Sequence, residues 1–503
     1  MMGRKAEVQN KLFYEAINLD RRIRKDHFLR KIARLVDFDF IYKEVRETYG
    51  NNGNVSVPPP VILKMMLLLV IYNVRSEREL IDTIPERLDW LWFLDYDLDD
   101  DIPNHSVLSK SRNRWGVAAF KSFFERIVLQ CVEAGLVDGS KLFMDSSMVK
   151  ADASNNSVVN TTKLQRYLNK SYRILEERLE EEKVSSDDST TKGGEANKKH
   201  ISTTDPDASV VRRGNGRSKL QYQIHRGVDE KHEVITATEV TPGEVHESHR
   251  MDSLIDQHYE NTGKMASTIV ADSKYGTVNN YLSCFDRGVQ PHFQSLESTG
   301  RGTGRQEGIF SKEDFVFNPD SNTFTCPAGN TLTIRKYYKY RSHYEYICPK
   351  SICSNCHLKS QCTRSKTGRT LKRHVRQDEL DHMLNQANSK QSKKDIKTRQ
   401  HLMERSFAHS ERYGFKRARW RRLWRVQIQE YLTATIQNIK TLVKENNKPH
   451  SVVEVKVVPK RSIRSLRQVC HRPSALFYEA LLSVKSILYV KMSAFPCLFG
   501  EIP

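Results

Sequence analysis

Two short apolar runs each end on an aspartate followed by serine, Leu142-Phe143-Met144-Asp145-Ser146 and Thr268-Ile269-Val270-Ala271-Asp272-Ser273. A third acid, Glu404, stands in Met403-Glu404-Arg405-Ser406-Phe407, within a segment predicted to be helical. Carboxylates gathered at strand edges repel one another until a cation neutralises them, and oxygen-only donors suit Mg²⁺ or Mn²⁺ better than zinc. Two such ions activate a water or hydroxyl and stabilise the leaving oxygen of an in-line displacement, so phosphoryl transfer is the chemistry these residue types fit. Taken singly, each acid has an ordinary explanation, because an aspartate after an apolar run commonly ends a strand or caps a helix.

Beyond Glu404, Lys416-Arg417-Ala418-Arg419-Trp420-Arg421-Arg422-Leu423-Trp424-Arg425 spaces Arg417, Arg421 and Arg425 four apart, with Trp420 and Trp424 likewise. On a helix that spacing is one face, which fits a phosphate-tracking surface with Lys416 or a solvated charged face. The tryptophans suit stacking on an unpaired base or packing in a core. Cys326-Pro327-Ala328-Gly329, Cys353-Ser354-Asn355-Cys356 and Cys362, with Cys348 and His357 nearby, supply ligands enough for a tetrahedral structural zinc site. Only one clear C-x-x-C pair is present, so zinc and unliganded thiols both fit the spacing.

The elements that must position these groups follow from pattern. Residues up to about 130 read as helices: Pro58-Pro59-Pro60 gives a stiff entry to the apolar run Val61–Tyr72, and Ser76 and Asn104 stand at cap positions. The second cap opens a helix whose Lys110, Arg112 and Arg114 are expected on one basic face near Trp115. From Lys141 the pattern turns to strands at Leu142–Asp145, Leu220–His225, Val234–Thr238 and Thr268–Asp272, with a helix over Glu244–Asn261 before the last. A mixed α/β sheet with its first and fourth strands adjacent would bring Asp145 and Asp272 together at strand ends. Two insertions interrupt it, at about 155–215 and 300–390. The first is expected to hold a charged helix over Leu164–Glu182 and a linker over Val184–Thr204, and the second is expected to lack a core of its own.

With 503 residues two or three domains are expected, and a net charge of +20 points to a polyanionic partner, nucleic acid before membrane. The apolar run at Val61–Tyr72 is too short to span a bilayer, and the start Met1-Met2-Gly3-Arg4-Lys5 lacks the apolar stretch of a secretory signal. Nine cysteines form an odd set, four of them crowded between Cys348 and Cys362, which fits reduced thiols or metal ligands rather than a disulfide framework. A cytoplasmic protein is the expectation.

Four blocks in order, Phe143–Ser154, Ser202-Thr203-Thr204-Asp205-Pro206-Asp207-Ala208, Val270-Ala271-Asp272-Ser273-Lys274-Tyr275-Gly276 and Glu404-Arg405-Ser406-Phe407, resemble the successive blocks of DDE transposases from bacterial insertion sequences. Pro60–Lys64, Ser76–Leu80 and His105–Ser109 resemble the helical DNA-binding domain that precedes the catalytic core there. The resemblance runs from about residue 55 to 445. It implies a helical DNA-binding domain over 1–130, an RNase H-like catalytic domain over 138–445 and a tail of unread role over 446–503. It also implies Asp145, Asp272 and Glu404 as the metal-binding triad for two Mg²⁺ or Mn²⁺ ions. The partners it implies are double-stranded DNA, as element ends and target, and further copies of the chain in a synaptic complex. Asp152, Asp205, Asp207 and Glu411 are the acids most readily mistaken for triad members, with Asp205-Pro206-Asp207 in a composition that suits a turn organising a loop. Related transposases often place Tyr seven before, Arg four before and Lys seven after the glutamate, where this chain has Lys397, Gln400 and Glu411. Arg399 or Arg405, and Lys416 or Arg417, are the candidate replacements. A second reading keeps the DNA binding and drops the catalysis.

Overall fold

The computed structural model describes residues 18–50, 55–160, 200–212, 216–294 and 308–446. The expected helix at Leu164–Glu182, most of the linker at Val184–Thr204 and the tail beyond Asn446 lie outside those residues. Among the described residues no helix is long and apolar enough to cross a membrane.

Prolines pre-set for the first turn start α1 (Pro59–Ile71), which is buried on every side, so other elements must surround it. Its one charge, Lys64, is neutralised by Asp95 at 2.7 Å and lies over the rings of Phe38 and Phe93. Ser76 caps the next helix, its hydroxyl accepting from the Glu79 N–H at 3.1 Å, as its position predicts. At α2 (Ser106–Glu133) the N-cap is His105, which makes no side-chain cap bond, and Asn104 one residue earlier accepts from the Ser106 N–H at 2.9 Å through its side-chain carbonyl. Gly116 breaks α2 at φ 64°, ψ −169°, a conformation open to glycine alone without strain. The expected basic face before that break does not form. Arg112 is buried, ion-paired with Glu77, with its guanidinium 4.0 Å from the centre of the Trp420 ring.

The strands are β1 (Lys141–Lys150), β2 (Lys219–Asp229), β3 (Ile235–Pro242), β4 (Thr268–Val270) and β5 (Gln290–His292), with α3 (Met251–Thr262) before β4 and α4 (Val278–Arg287) after it. β1 pairs antiparallel with β2 and parallel with β4; β4 pairs parallel with β5, and β3 runs antiparallel along the other edge of β2. A short strand, Ser209–Val211, completes the six-stranded sheet. The order β3-β2-β1-β4-β5 is that of an RNase H-like mixed sheet, with the first and fourth strands adjacent as expected. Alternation along β1 feeds both faces: Leu142 and Met144 pack with Met251, Leu254 and Ile255 of α3, while Phe143 packs with the N-terminal helices.

Three helices close the fold, α5 (Gln377–Ala387), α6 (Lys390–Arg412) and α7 (Leu423–Asn446). The stripe Ile428, Leu432, Thr435, Ile439 and Leu442 is buried as its spacing predicts, and Gln429, Glu430, Thr433 and Asn438 are buried too. α7 therefore lies between layers. Asn438 bonds both the N–H and the C=O of Ile235 at 2.9 and 2.8 Å, and Glu430 takes a bidentate pair of hydrogen bonds from Arg226 at 2.7 and 2.8 Å. The N-terminal helices, one face of the sheet and α7 share one continuous hydrophobic cluster.

The insertions are more ordered than their composition predicts. Val158–Asn160 pairs with His200–Ser202, so the first insertion is held at its base by a strand where a linker was expected. Within the second, β6 (Val316–Asn318), β7 (Thr323–Thr325), β8 (Thr331–Tyr338), β9 (His343–Ile347) and β10 (Thr370–His374) form a five-stranded antiparallel sheet. It has a small core of Phe315, Phe324, Leu332, Tyr346, Cys348 and Leu371. The coreless loop expected there is thus corrected. Strands of three to eight residues, with β8 exposed at most positions, leave too weak an alternation to see in sequence.

Candidate active site

Parallel pairing sets the acids level. Phe143 of β1 stands opposite Val270 of β4, and Asp145 and Asp272 each lie two residues beyond that pair, at the same end of adjacent strands. β1 continues through Asp145 to Lys150, whereas the chain leaves β4 at once, and the Asp272 carboxylate caps the following turn by accepting from the Lys274 N–H at 2.9 Å. The third carboxylate is Glu247, which opens the turn leading into α3 and is buried. Asp145, Glu247 and Asp272 each offer an oxygen within 4.8 Å of the other two, the closest such group of potential ligands among the described residues.

Glu247 carries no sequence signal of its own: it sits among the first acids of an expected helix, where capping and dipole effects account for acidic residues. Its place becomes visible only when α3 packs under β1 and its carboxylate accepts a hydrogen bond from the Ser146 hydroxyl. The neighbours are cationic. Arg399 of α6 donates from Nη1 to Asp145 at 2.6 Å, and the Lys274 ammonium lies 2.5 Å from Glu247 and 3.8 Å from Asp272.

Burial pushes the Asp145 carboxyl above the ordinary carboxylate range; Arg399 opposes this, and the charges of Asp272 and Glu247 add to it. Asp272 is likewise raised, by burial first and then by Glu247, with Lys274 and Arg399 opposing. Tyr275, wholly buried beside these acids, has a hydroxyl without a hydrogen-bond partner, and burial followed by the same three carboxylates raises its pKa well above the usual value. Three mutually close carboxylates and an orphaned hydroxyl make an oxygen-only donor set, which fits a hard divalent cation.

Glu404, expected as the third ligand, stands outside this group. It is exposed on α6 and accepts from the Gln400 side chain at 3.3 Å. The reason is helical phase: five residues separate it from Arg399, which places it about 140° around the helix from the side chain that meets Asp145. The inward face of α6 instead carries Asp395, which takes His292 at 2.7 Å and Lys141 at 3.2 Å, then Arg399, Met403 and Ser406. Asp205 and Asp207, among the acids that could be mistaken for triad members, accept from the backbone N–H groups of Arg422 and Leu423 at 2.9 and 2.8 Å and so fix the start of α7.

The basic stretch is not the helix face its spacing suggests. α7 begins only at Leu423, and Arg422 before it has φ 81°, so Arg417, Arg421 and Arg425 share no helical face. Arg417 and Arg421 both reach Asp152, at 2.8 and 3.3 Å; Lys416 pairs with Glu411 at 3.2 Å, and Arg425 bonds Asn113 at 3.0 Å. Trp420 packs on Arg112 and donates to Glu77 at 3.1 Å, which gives it a structural part between layers. Yet Arg417 forms a bridge with Lys150 at the far end of β1, and with Lys219 these two line an open groove of about 370 Å³.

Two protein families match the chain. The family described as Transposase domain (DUF772) matches residues 17–114, the N-terminal helices. The family described as Transposase DDE domain matches residues 325–443, from the inserted sheet through α6 to nearly the end of α7. No curated protein matches the chain.

Proposed function

We propose that the chain is a DDE transposase of the insertion-sequence kind, as its two family matches support, and that it cuts and joins DNA at the site formed by Asp145, Glu247 and Asp272. The observation that carries this reading is the equal offset of Asp145 and Asp272 beyond the Phe143–Val270 pair, with Glu247 completing a trio within 4.8 Å.

Those three carboxylates would hold Mg²⁺ or Mn²⁺, and two bound ions supply nucleophile activation and charge neutralisation at the scissile phosphate. Arg399 and Lys274 hold the acids in place before loading, their charges limiting the repulsion among buried carboxylates. Lys150, Lys219 and Arg417 line the groove that would take the phosphate backbone, and five residues of β1 set it roughly 16 Å from Asp145, a span of several nucleotides. The substrates in this reading are the terminal inverted repeats of the element, hydrolysed to free a 3′-hydroxyl that is then directed onto target DNA. Two ends are held by more than one copy of the chain, in the cytoplasm where the DNA lies.

The test is cleavage of labelled DNA bearing the element's ends, with Mg²⁺ or Mn²⁺, by the wild type and by Asp145→Asn, Asp272→Asn, Glu247→Gln and Glu404→Gln. Metal-dependent nicking lost in the first three variants supports the site. Binding without nicking by the wild type would favour a silent DNA-binding derivative, and nicking retained in Glu247→Gln would remove that residue.

A further inference from the structure

The inserted sheet holds a second group of ligand-forming side chains, remote in chemistry from the carboxylates. Cys326, Cys348, Cys353, Cys356 and Cys362 all line one cavity of about 20 Å³, walled otherwise by Phe310, Leu332 and other mainly apolar groups. That volume is close to one solvent-sized particle, enough for a single ion. All five cysteines are free thiols in the structure.

Two loops bring the sulfurs in from opposite sides. The first follows β7, where Cys326-Pro327-Ala328-Gly329-Asn330 folds into a tight turn: the Gly329 N–H donates to the Cys326 carbonyl at 2.8 Å, Gly329 has φ +79°, and the Asn330 N–H points at Cys326 Sγ at 3.3 Å. An N–H aimed at sulfur stabilises the thiolate, which is the form that binds metal. The second loop runs through two short helices, Lys350–Ser354 and Lys359–Cys362, and presents Cys353, Cys356 and Cys362. Arg369 ties its end back by donating to the Cys362 and Phe310 carbonyls at 3.0 and 2.9 Å. Gly368 leaves room for the group: a Cβ there would lie 3.4 Å from Cys353 Sγ and 2.8 Å from the Cys348 carbonyl.

Cys348 belongs to the small core of the inserted sheet, while Cys326, Cys353, Cys356 and Cys362 are only partly buried. The geometry points to a structural Zn²⁺ site formed by Cys326, Cys353, Cys356 and Cys362, a tetrathiolate that staples the two loops of the inserted sheet. Soft sulfur donors in a set of four select zinc over the hard cation of the carboxylate trio. Among the described residues no three of these sulfurs lie within 4.8 Å of one another, so the proposed site requires the two loops to close on the ion. A sheet with so few buried side chains gains from such a staple what a larger core would otherwise provide.

The full chain, purified under reducing conditions and reconstituted with Zn²⁺, is expected to hold about one zinc, and Co²⁺ in its place to give the strong thiolate-to-metal absorption of a tetrahedral sulfur site. Cys353→Ser with Cys356→Ser is expected to abolish the absorption, whereas Cys131→Ser, Cys284→Ser and Asp145→Asn leave it intact. Should the double variant fail to fold, alkylation of the wild type decides: zinc is expected to protect four thiols that a chelator then exposes. Absence of bound zinc after reconstitution, a cobalt spectrum without thiolate bands, or thiols equally reactive with and without chelator would each overturn the site.

Discussion

Arg399 donates to the Asp145 carboxylate at 2.6 Å, so the helix that carries Glu404 is tied to the first strand of the sheet by a side chain five residues away from that glutamate. The guanidinium stands where a cation bound to Asp145 would act, and the two compete for one carboxylate. Arg399→Gln is therefore expected to bind Mn²⁺ about tenfold more tightly, near 1.4 kcal/mol, and to show a larger thermal stabilisation on loading. Equal Mn²⁺ shifts in the variant and the wild type would remove the competition.

The carboxylates divide by position. Glu247→Gln takes a ligand from the trio and is expected to weaken Mn²⁺ binding at least tenfold and cleavage roughly a hundredfold, a loss of some 2.7 kcal/mol in transition-state stabilisation. Glu404→Gln, exposed on the far side of α6, is expected to change Mn²⁺ affinity less than about twofold by the same scale. Calorimetric titration of both variants checks this, and the reverse order would mean that α6 turns about its axis when the cation binds.

The Arg226–Glu430 pair is completely buried and joins β2 to α7. Removing one partner leaves a buried charge without its counterpart, so Arg226→Met is expected to lower stability by about 3–5 kcal/mol. Arg226→Met with Glu430→Leu is expected to regain most of that loss. Urea midpoints for the two variants check the pattern; a double variant no more stable than the single one would contradict it.

His225 is held neutral inside the sheet: burial, with Arg250 adding to it, lowers its pKa from 6.5 to about 3, and its Nε2 bonds the Thr241 hydroxyl at 2.8 Å. Between those values the unfolded chain binds a proton that the folded chain refuses. The stabilising contribution is thus full above pH 6.5 and is lost on acidification toward pH 3, by up to about 1.4 kcal/mol per pH unit. His225→Gln is expected to flatten this acid limb in urea titrations, and an unchanged slope would rule the residue out as its source.

The groove residues separate from the rest of the basic stretch. Arg417→Ala and Lys150→Ala are each expected to lower the salt dependence of DNA binding by about one unit of slope. Arg425→Ala, whose side chain bonds Asn113 outside that groove, is expected to leave the slope unchanged. Binding titrations across a range of salt concentrations measure both.

Much of this arrangement is legible in the chain alone where the signal is local. Pro59 and Ser76 announce helix starts because their effects act within one turn, and Leu142–Met144 announces a buried strand because both of its faces must be apolar. The inserted sheet escapes notice because its strands are short and half exposed, and the helix boundary at Leu423 escapes because Asp205 and Asp207, more than two hundred residues earlier, fix it.

For the site, the sequence by itself put Asp145 and Asp272 at the ends of two apolar runs, and the parallel register of β1 and β4 is what sets them level. Only the tertiary structure decided which other charges join them. Glu247 arrives by the packing of α3, and Arg399 rather than Glu404 arrives by the rotation of α6, because a helix residue's direction depends on which face its neighbours bury. The same dependence took Arg112 and Trp420 out of a basic surface and into the contact between layers, where no spacing rule places them.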